Sequence, residues 1–326
     1  MKLPRIEDLD IQNKKVLLRA DLDIDISKDG GGRLRVLLPT LKILTQKASK
    51  ITIIGHKGRP EGKVVKELSV DTVSAALEKL LIQEWGKEKV ENLDLVMSEN
   101  LRFDSGEEEN SEHYAEHLAE GNDVYINEAF ASSHREHASI TKLPKLLPSA
   151  AGLRFIEEIE NMEKILKDPK KPVLFIIGGV KKDKLDYLED FKKVADKILI
   201  GGRLPDYLSE DFDDKKIVVA KLIMDKEDIT VHSIEKFEDE ISKAGTIVVA
   251  GPMSKSEEDG HLMGTDRVFK AIANSQAYKL AGGGETERII STLELTNKFD
   301  WISIGGGASL EFLAKGTLPG IEALLN

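Results

Sequence analysis

Residues 172–179 read PVLFIIGG. Five apolar residues follow a proline, and two glycines close the run. A short, continuously apolar and partly β-branched run ended by glycine predicts a strand covered on both faces. Helical patterns flank it, at 153–167 before and 185–194 after. The same alternation extends outward in both directions. Strands are predicted at 15–22, 50–55, 93–98, 123–127, 197–200, 216–220, 246–250, 277–281 and 301–304. Helices are predicted between them, among them 39–48, which opens with a proline suited to a first turn, 69–85 and 111–120. In 69–85 the residues Val70, Val73, Ala76, Leu77, Leu80 and Leu81 recur at helical spacing. Strands alternating with helices imply an α/β protein with parallel sheets and right-handed crossovers.

The chain has 326 residues, enough for two domains at about 150 residues each. The sequence LPKLLP at 143–148, followed by the helical run from 153, reads as a domain boundary with a connecting helix. With 40% apolar and 32% charged residues the composition is that of a folded globular protein. The absence of cysteine excludes disulfides, thiolate metal sites and cysteine nucleophiles. A net charge of −11 argues against general nucleic-acid binding, because phosphate backbones repel it. No apolar run is long enough to span a membrane. The charged N-terminal stretch lacks a signal-peptide core, so a cytoplasmic location is expected.

In open parallel sheets ligands bind beyond the carboxyl ends of the strands. In the first half those ends carry charge: Arg19, Asp21 and Asp23; His56 and Arg59; Arg102; His134 and Arg135. With Arg33 nearby, these cations gathered on one face of an acidic protein point to an anionic substrate, which arginine forks bind bidentately. Arg19 has an alternative role in a structural ion pair, and Asp21 one in positioning an arginine or a substrate hydroxyl. In the second half the ends carry glycine: Gly178 and Gly179; Gly201 and Gly202; Gly251; Gly282, Gly283 and Gly284; Gly305, Gly306 and Gly307. Such turns opening helices aim amides at an anion, although each alone could be an ordinary tight turn. Lys181 and Lys184 follow the first of them as candidate phosphate clamps or as a solvated loop. Neither the Walker A pattern nor GxGxxG occurs. His134 and His137, at i and i+3, lack a third metal ligand. His113 and His117 read as a surface helix, Asp21, Asp23 and Asp25 do not continue as an EF-hand, and 107–109 (EEE) reads as a solvated helix start.

Taken in order, VLLRADLDIDI, GRLRVLLPT, GHKGRP, ENLRF, DVYINEAFASSHREHAS, IIGGVKKDK, ILIGG, TIVVAGPM, GGGETERI, GGGASLEFL and LPGIEAL resemble phosphoglycerate kinase over nearly the whole chain. The resemblance implies two Rossmann-like domains joined by a helix and hinge. The first, 1–150, would bind phosphoglycerate, with 310–326 packing back on it; 151–168 would connect; 169–309 would bind ADP or ATP with Mg²⁺. It places substrate binding on Asp21, Asp23, Arg33, His56, Arg59, Arg102 and Arg135. It places nucleotide binding on Gly179, Lys181, Lys184, Gly201, Gly202, Glu257, Gly283, Gly284, Glu285 and Thr286, with Glu285 on the metal. Arg33, Lys184 and Gly305, Gly306 and Gly307 would stabilise the transferring group. The activity implied is reversible phosphoryl transfer between 1,3-bisphosphoglycerate and ADP, in glycolysis and gluconeogenesis, by a monomer. The acceptor carboxylate is already ionised, so the lack of a base–nucleophile pair is expected.

The chain departs from the family's pattern at several positions. Asp23 replaces its asparagine, Asp25 its proline, Val249 and Ala250 its Trp-Asn, and Glu285 its metal-binding aspartate. The lysine loop is one residue shorter, and the segment 203–245 is tens of residues shorter. These departures keep two other readings open: a kinase of another small carboxylate, and a non-catalytic phosphoglycerate sensor.

Overall fold

The computed structural model describes residues 1–26, 32–209, 211–255 and 262–325. It divides into two compact units, Met1–Ile159 with Thr317–Asn326, and Glu160–Gly316.

The first unit holds a parallel sheet of β1 (Lys15–Arg19), β2 (Lys50–Ile54), β3 (Leu95–Met97), β4 (Val124–Asn127) and β5 (Ser149–Ala151), in the order β3-β2-β1-β4-β5. Four of these strands lie within segments predicted from sequence. β5 was not predicted: its residues, Ser-Ala-Ala, carry no apolar pattern, and only pairing with β4 makes them a strand. Val16, Leu18, Ile51, Ile53, Val124 and Ile126 form the buried sheet centre. Helix Asp71–Trp85 buries Val73, Leu77, Leu80 and Leu81 of the predicted stripe; Val70 is buried just before the helix and Ala76 is partly buried.

The second unit holds β6 (Val173–Ile177), β7 (Lys197–Ile200), β8 (Ile217–Val219), β9 (Thr246–Ala250), β10 (Tyr278–Gly282) and β11 (Trp301–Ser303). The order is β11-β10-β9-β6-β7-β8. Counted from β6 and read from the β8 edge, this is 3-2-1-4-5-6, the doubly wound order whose ligand crevice opens where the chain reverses direction. Here that crevice lies between β6 and β9; in the first unit the matching split lies between β1 and β4. β6 and β9 are buried at every residue, as continuously apolar central strands should be.

One helix and one boundary differ from the sequence reading. The run 185–194 is a 3₁₀ turn, Lys182–Tyr187, leading into helix Leu188–Val194. The return to the first unit begins at Thr317 rather than at 310, because 310–315 stay in helix Gly306–Lys315, which Gly316 ends at φ 76°. The helix Leu153–Lys167 passes from one unit into the other. Between β7 and β8 the described residues contain only the short 3₁₀ turn Leu204–Tyr207.

Candidate active site

At the carboxyl ends of β1, β2 and β4 the first unit builds a cluster of cations on a buried support. Arg19 is fully buried. Its Nε donates to Ser139 Oγ at 2.9 Å, its Nη1 to the carbonyl of Ala20, and its Nη2 lies 3.0 Å from His56 Nδ1. Glu107, equally buried, accepts from the amide and hydroxyl of Ser139 at 2.9 and 2.6 Å and stands 4.0 Å from Arg19. Arg19 therefore belongs to the structural alternative, beneath the face. Glu107 is not part of a solvated helix start; nothing in a run of three glutamates shows which one faces inward.

This support sets the histidines. Burial, then Arg19 and Arg102, hold His56 well below the usual imidazole range. Since a guanidinium only donates, His56 Nδ1 accepts from Arg19 and Nε2 carries the proton, leaving a neutral donor. His137 is likewise pushed down to about 3 by burial and by Arg102, Arg19 and Arg135.

Arg102 is buried, donates from Nη1 to Gly58 O at 2.7 Å, and has Glu108 3.2 Å from Nε; its buried Nη2 has no hydrogen-bond partner. Arg135 is half-buried and close enough to act on His56, Arg102 and His137. Arg33 Nη1 reaches Asp23 O at 3.4 Å, and its charge acts on Asp21. Arg59 is exposed at the end of the turn that carries His56.

The acidic residues hold loops. Asp21 accepts from Ser132 Oγ at 2.7 Å and Ala131 N at 2.9 Å, and burial raises its carboxyl against the pull of Arg19. Asp23 Oδ1 accepts from Gly58 N at 2.9 Å, fixing the turn that carries His56 and Arg59. Each oxygen of Asp21 is thus engaged by the loop after β4.

In the second unit the glycine turns behave in two ways. Those after β6, β7 and β9 are spent on one another. Gly179 N donates to Pro252 O at 2.7 Å, Gly178 N to Ala250 O at 2.9 Å, Gly201 N to Ile177 O at 2.9 Å, and Gly251 N to Thr286 Oγ1 at 2.8 Å. A Cβ on Gly178 would meet Pro252 O at 2.1 Å, and one on Gly251, whose φ is +96°, would meet Gly178 O at 2.4 Å. These glycines let main chain touch main chain, so the expected anion-cradling role of Gly179, Gly201 and Gly202 does not rest on free amides at 179 and 201. Thr286 is likewise committed, accepting from Gly251 and donating to Gly282 O at 2.8 Å.

The turns after β10 and β11 differ. Helices Gly284–Thr292 and Gly306–Lys315 begin there, and their starts touch: a Cβ on Gly306 would lie 2.8 Å from the Cα of Gly283. First-turn amides have no acceptor within their helix, so Gly284 and Glu285 on one and Gly306 and Gly307 on the other bring two positive helix ends together. Lys184 Nζ donates to Gly178 O at 2.7 Å and to Ala250 O at 3.3 Å, at the split between β6 and β9. Burial lowers its ammonium, with Glu285 opposing. Lys181 and Glu285 are exposed. A cavity of about 210 Å³ is lined by Gly179, Gly202, Arg203, Pro252, Lys255 and Glu285, among others. Glu257 lies outside the described residues.

The family model for phosphoglycerate kinase matches residues 6–210 and 206–316. This chain belongs to the phosphoglycerate kinase family. A phosphoglycerate kinase of Dictyoglomus turgidum is 34% identical over 387 positions, covering 98% of this chain and 97% of its own length. One of Coprothermobacter proteolyticus is 30% identical, covering 100% and 99%. Among solved structures, the phosphoglycerate kinase of Pyrococcus horikoshii superposes with a TM-score of 0.83 at 27% identity, covering 99% of this chain and 98% of that one. That of Coxiella burnetii gives 0.80 at 27%, covering 99% of each. An alignment of 387 positions against a chain of 326 carries gaps in this chain, and the family match breaks at 206–210, inside the segment read as shortened.

Proposed function

We propose that this chain is a phosphoglycerate kinase that transfers a phosphoryl group reversibly between 1,3-bisphosphoglycerate and ADP. The observation that carries this reading is the first unit's ligand edge, where Arg102 offers a buried, unpartnered Nη2 beside two histidines kept neutral by burial and then by the surrounding arginines. Cations gathered on one face, one of them with a buried and unpaired N–H, are stabilised by a polyanion. Arg33, His56, Arg59, Arg102 and Arg135 would hold the phosphoglycerate, on loops set by Asp21 and Asp23. ADP or ATP would place its phosphates at the touching helix starts, and Lys184 would exchange a carbonyl partner for a phosphate oxygen. Arg33, Lys184 and the amides of Gly306 and Gly307 would share the charge of the transferring group; the amide of Gly305, expected in the same role, donates instead to Ser303 Oγ at 3.2 Å. Positioning and neutralisation of this kind are the protein's main contribution to phosphoryl transfer.

Glu285 is the carboxylate at hand for Mg²⁺, and one carboxylate with phosphate oxygens and waters is an ordinary magnesium set. Among the described residues no cluster of three metal-binding side chains occurs. Bound there, Mg²⁺ would neutralise phosphate charge. No described helix is long and apolar enough to cross a membrane.

A coupled assay with 3-phosphoglycerate, ATP and Mg²⁺ tests the proposal; folded protein without turnover refutes it. The sensor reading has one specific observation in its favour: the self-bonded glycine turns around Lys184. It calls for phosphoglycerate binding without nucleotide binding, and heat released on titrating Mg–ADP removes it. The reading as a kinase of another carboxylate loses its motive, because Asp23 is bonded to the Gly58 amide.

A further inference from the structure

Glu128 follows the last residue of β4 and is almost fully buried. Its carboxylate caps a helix that starts 25 positions away along the chain. The amide of Arg154 donates to Oε1 at 3.2 Å, and that of Phe155 donates to Oε2 at 3.1 Å. Thr40 donates its hydroxyl to Oε1 at 2.5 Å and accepts the Leu153 amide at 3.0 Å. Three first-turn amides of Leu153–Lys167 thus end on one carboxylate, directly or through Thr40. Gly152 leaves room for it: a Cβ there would lie 2.0 Å from Glu128 Oε2. The Glu128 amide is itself fixed, donating to Arg19 O at 2.8 Å. Three residues on, Ala131 and Ser132 bind Asp21, and Arg135 follows.

We propose that Glu128 is a positioning residue for phosphoryl transfer: ionised, it pins the first turn of the connecting helix to the substrate loop after β4, and protonated, it releases that turn. The catalytic consequence rests on the kinase reading above; the cap does not. Every group facing the carboxylate donates. An ionised carboxylate takes all three hydrogen bonds, and its charge suits a helix N-terminus. A protonated one loses acceptor capacity and carries a proton that finds donors opposite it.

The surroundings place this change near neutrality. Burial pushes Glu128 up to about 7, with the Thr40 hydroxyl and the amides of Phe155 and Arg154 opposing and the charge of Glu157 adding. The connecting helix also carries Arg154 and Glu158, held to each other at 3.0 Å. The helix Leu38–Lys47 presents the uncharged Thr40, and the end of β5 presents Gly152.

The test has two arms on the full chain. In the first, kcat is followed from pH 6 to 8 for the wild type and Glu128→Gln, whose amide mimics the protonated acid. The wild type should lose several-fold in kcat towards pH 6, with KM for phosphoglycerate little changed. Glu128→Gln should be slow at every pH and lack that ionisation, while changes due to the substrate's own phosphate persist in both. In the second arm, amide exchange at 153–155, corrected for intrinsic rates, should speed up below about pH 7 in the wild type without substrate. If Glu128→Gln fails to fold, Thr40→Val serves: losing a donor to the ionised form should move both midpoints upward. Identical pH profiles in the variant and wild type, or exchange that is flat with pH, overturn the proposal. Absence of turnover with pH-dependent exchange overturns the kinase reading and the catalytic role of Glu128, and leaves the cap standing.

Discussion

Arg33 is half-buried, and its guanidinium touches a main-chain carbonyl, Asp23 O, at 3.4 Å. It carries little of the core, so Arg33→Ala should fold as the wild type does and lose roughly 10² to 10³ in kcat, as other groups that stabilise transition-state charge do. Steady-state kinetics with a thermal melt on the same sample checks both halves. The buried titratable groups give stability a distinct pH dependence. His137 is held near 3 by burial and by Arg102, Arg19 and Arg135, against 6.5 when unfolded. The folded state therefore binds fewer protons, and stability falls as pH drops from about 6.5 towards 3. Glu128 acts with the opposite sign. Its carboxyl is raised from 4.5 to about 7, so its contribution is whole below 4.5 and is lost as pH rises to about 7. Urea titrations at a series of pH values should show Glu128→Gln missing that second decline.

Helix ends and turns are where the elements of the second unit become a site. The two helices after β10 and β11 start in backbone contact, which a side chain at 306 would push apart. Gly306→Ala should leave the sheet intact, weaken Mg–ADP binding about tenfold or more, and leave phosphoglycerate binding unchanged, as calorimetry on each ligand would show. The turns after β6 and β9 are instead a structural lock. Gly251→Ala combines a φ of +96° with a contact of 2.4 Å to Gly178 O, and should cost about 2 kcal/mol or more of stability. Thermal denaturation measures this without reference to activity.

The chain's end serves the unit in which it began. After Gly316, Leu318 and, on the helix Pro319–Leu325, Ile321 and Leu324 are buried in the first unit, and Gly320 N donates to Ser133 O at 2.9 Å. Three buried aliphatic side chains are together worth about 5 kcal/mol. Removal of 317–326 should therefore unfold the first unit or lower its melting temperature by more than ten degrees, and leave the second unit resistant to protease. The shortened segment has its own fastening. Glu227 stands 3.9 Å from Arg203 and 3.7 Å from Lys255, and Lys226 donates to Asp206 at 2.5 Å. These pairs tie the ends of β7, β8 and β9 beside the cavity.

The sequence by itself determined the α/β class, ten of the eleven strands among the described residues, and the contrast between a charged and a glycine-rich ligand edge. Apolar runs closed by glycine or charge are local signals, and a parallel strand buried on both faces has to show them. The motif order also gave the family. Tertiary structure decided what each polar group faces. The EEE run does not tell that Glu107 lies under Arg19, and NEAF does not tell that Glu128 caps a helix beginning 25 residues later. Five glycine turns look alike as letters, yet contact between strands turns three into a lock and leaves two as helix ends. β5 exists only because β4 lies beside it. Hydrogen bonds and burial between residues far apart in the chain depend on distances in space, and no pattern along the chain encodes those distances.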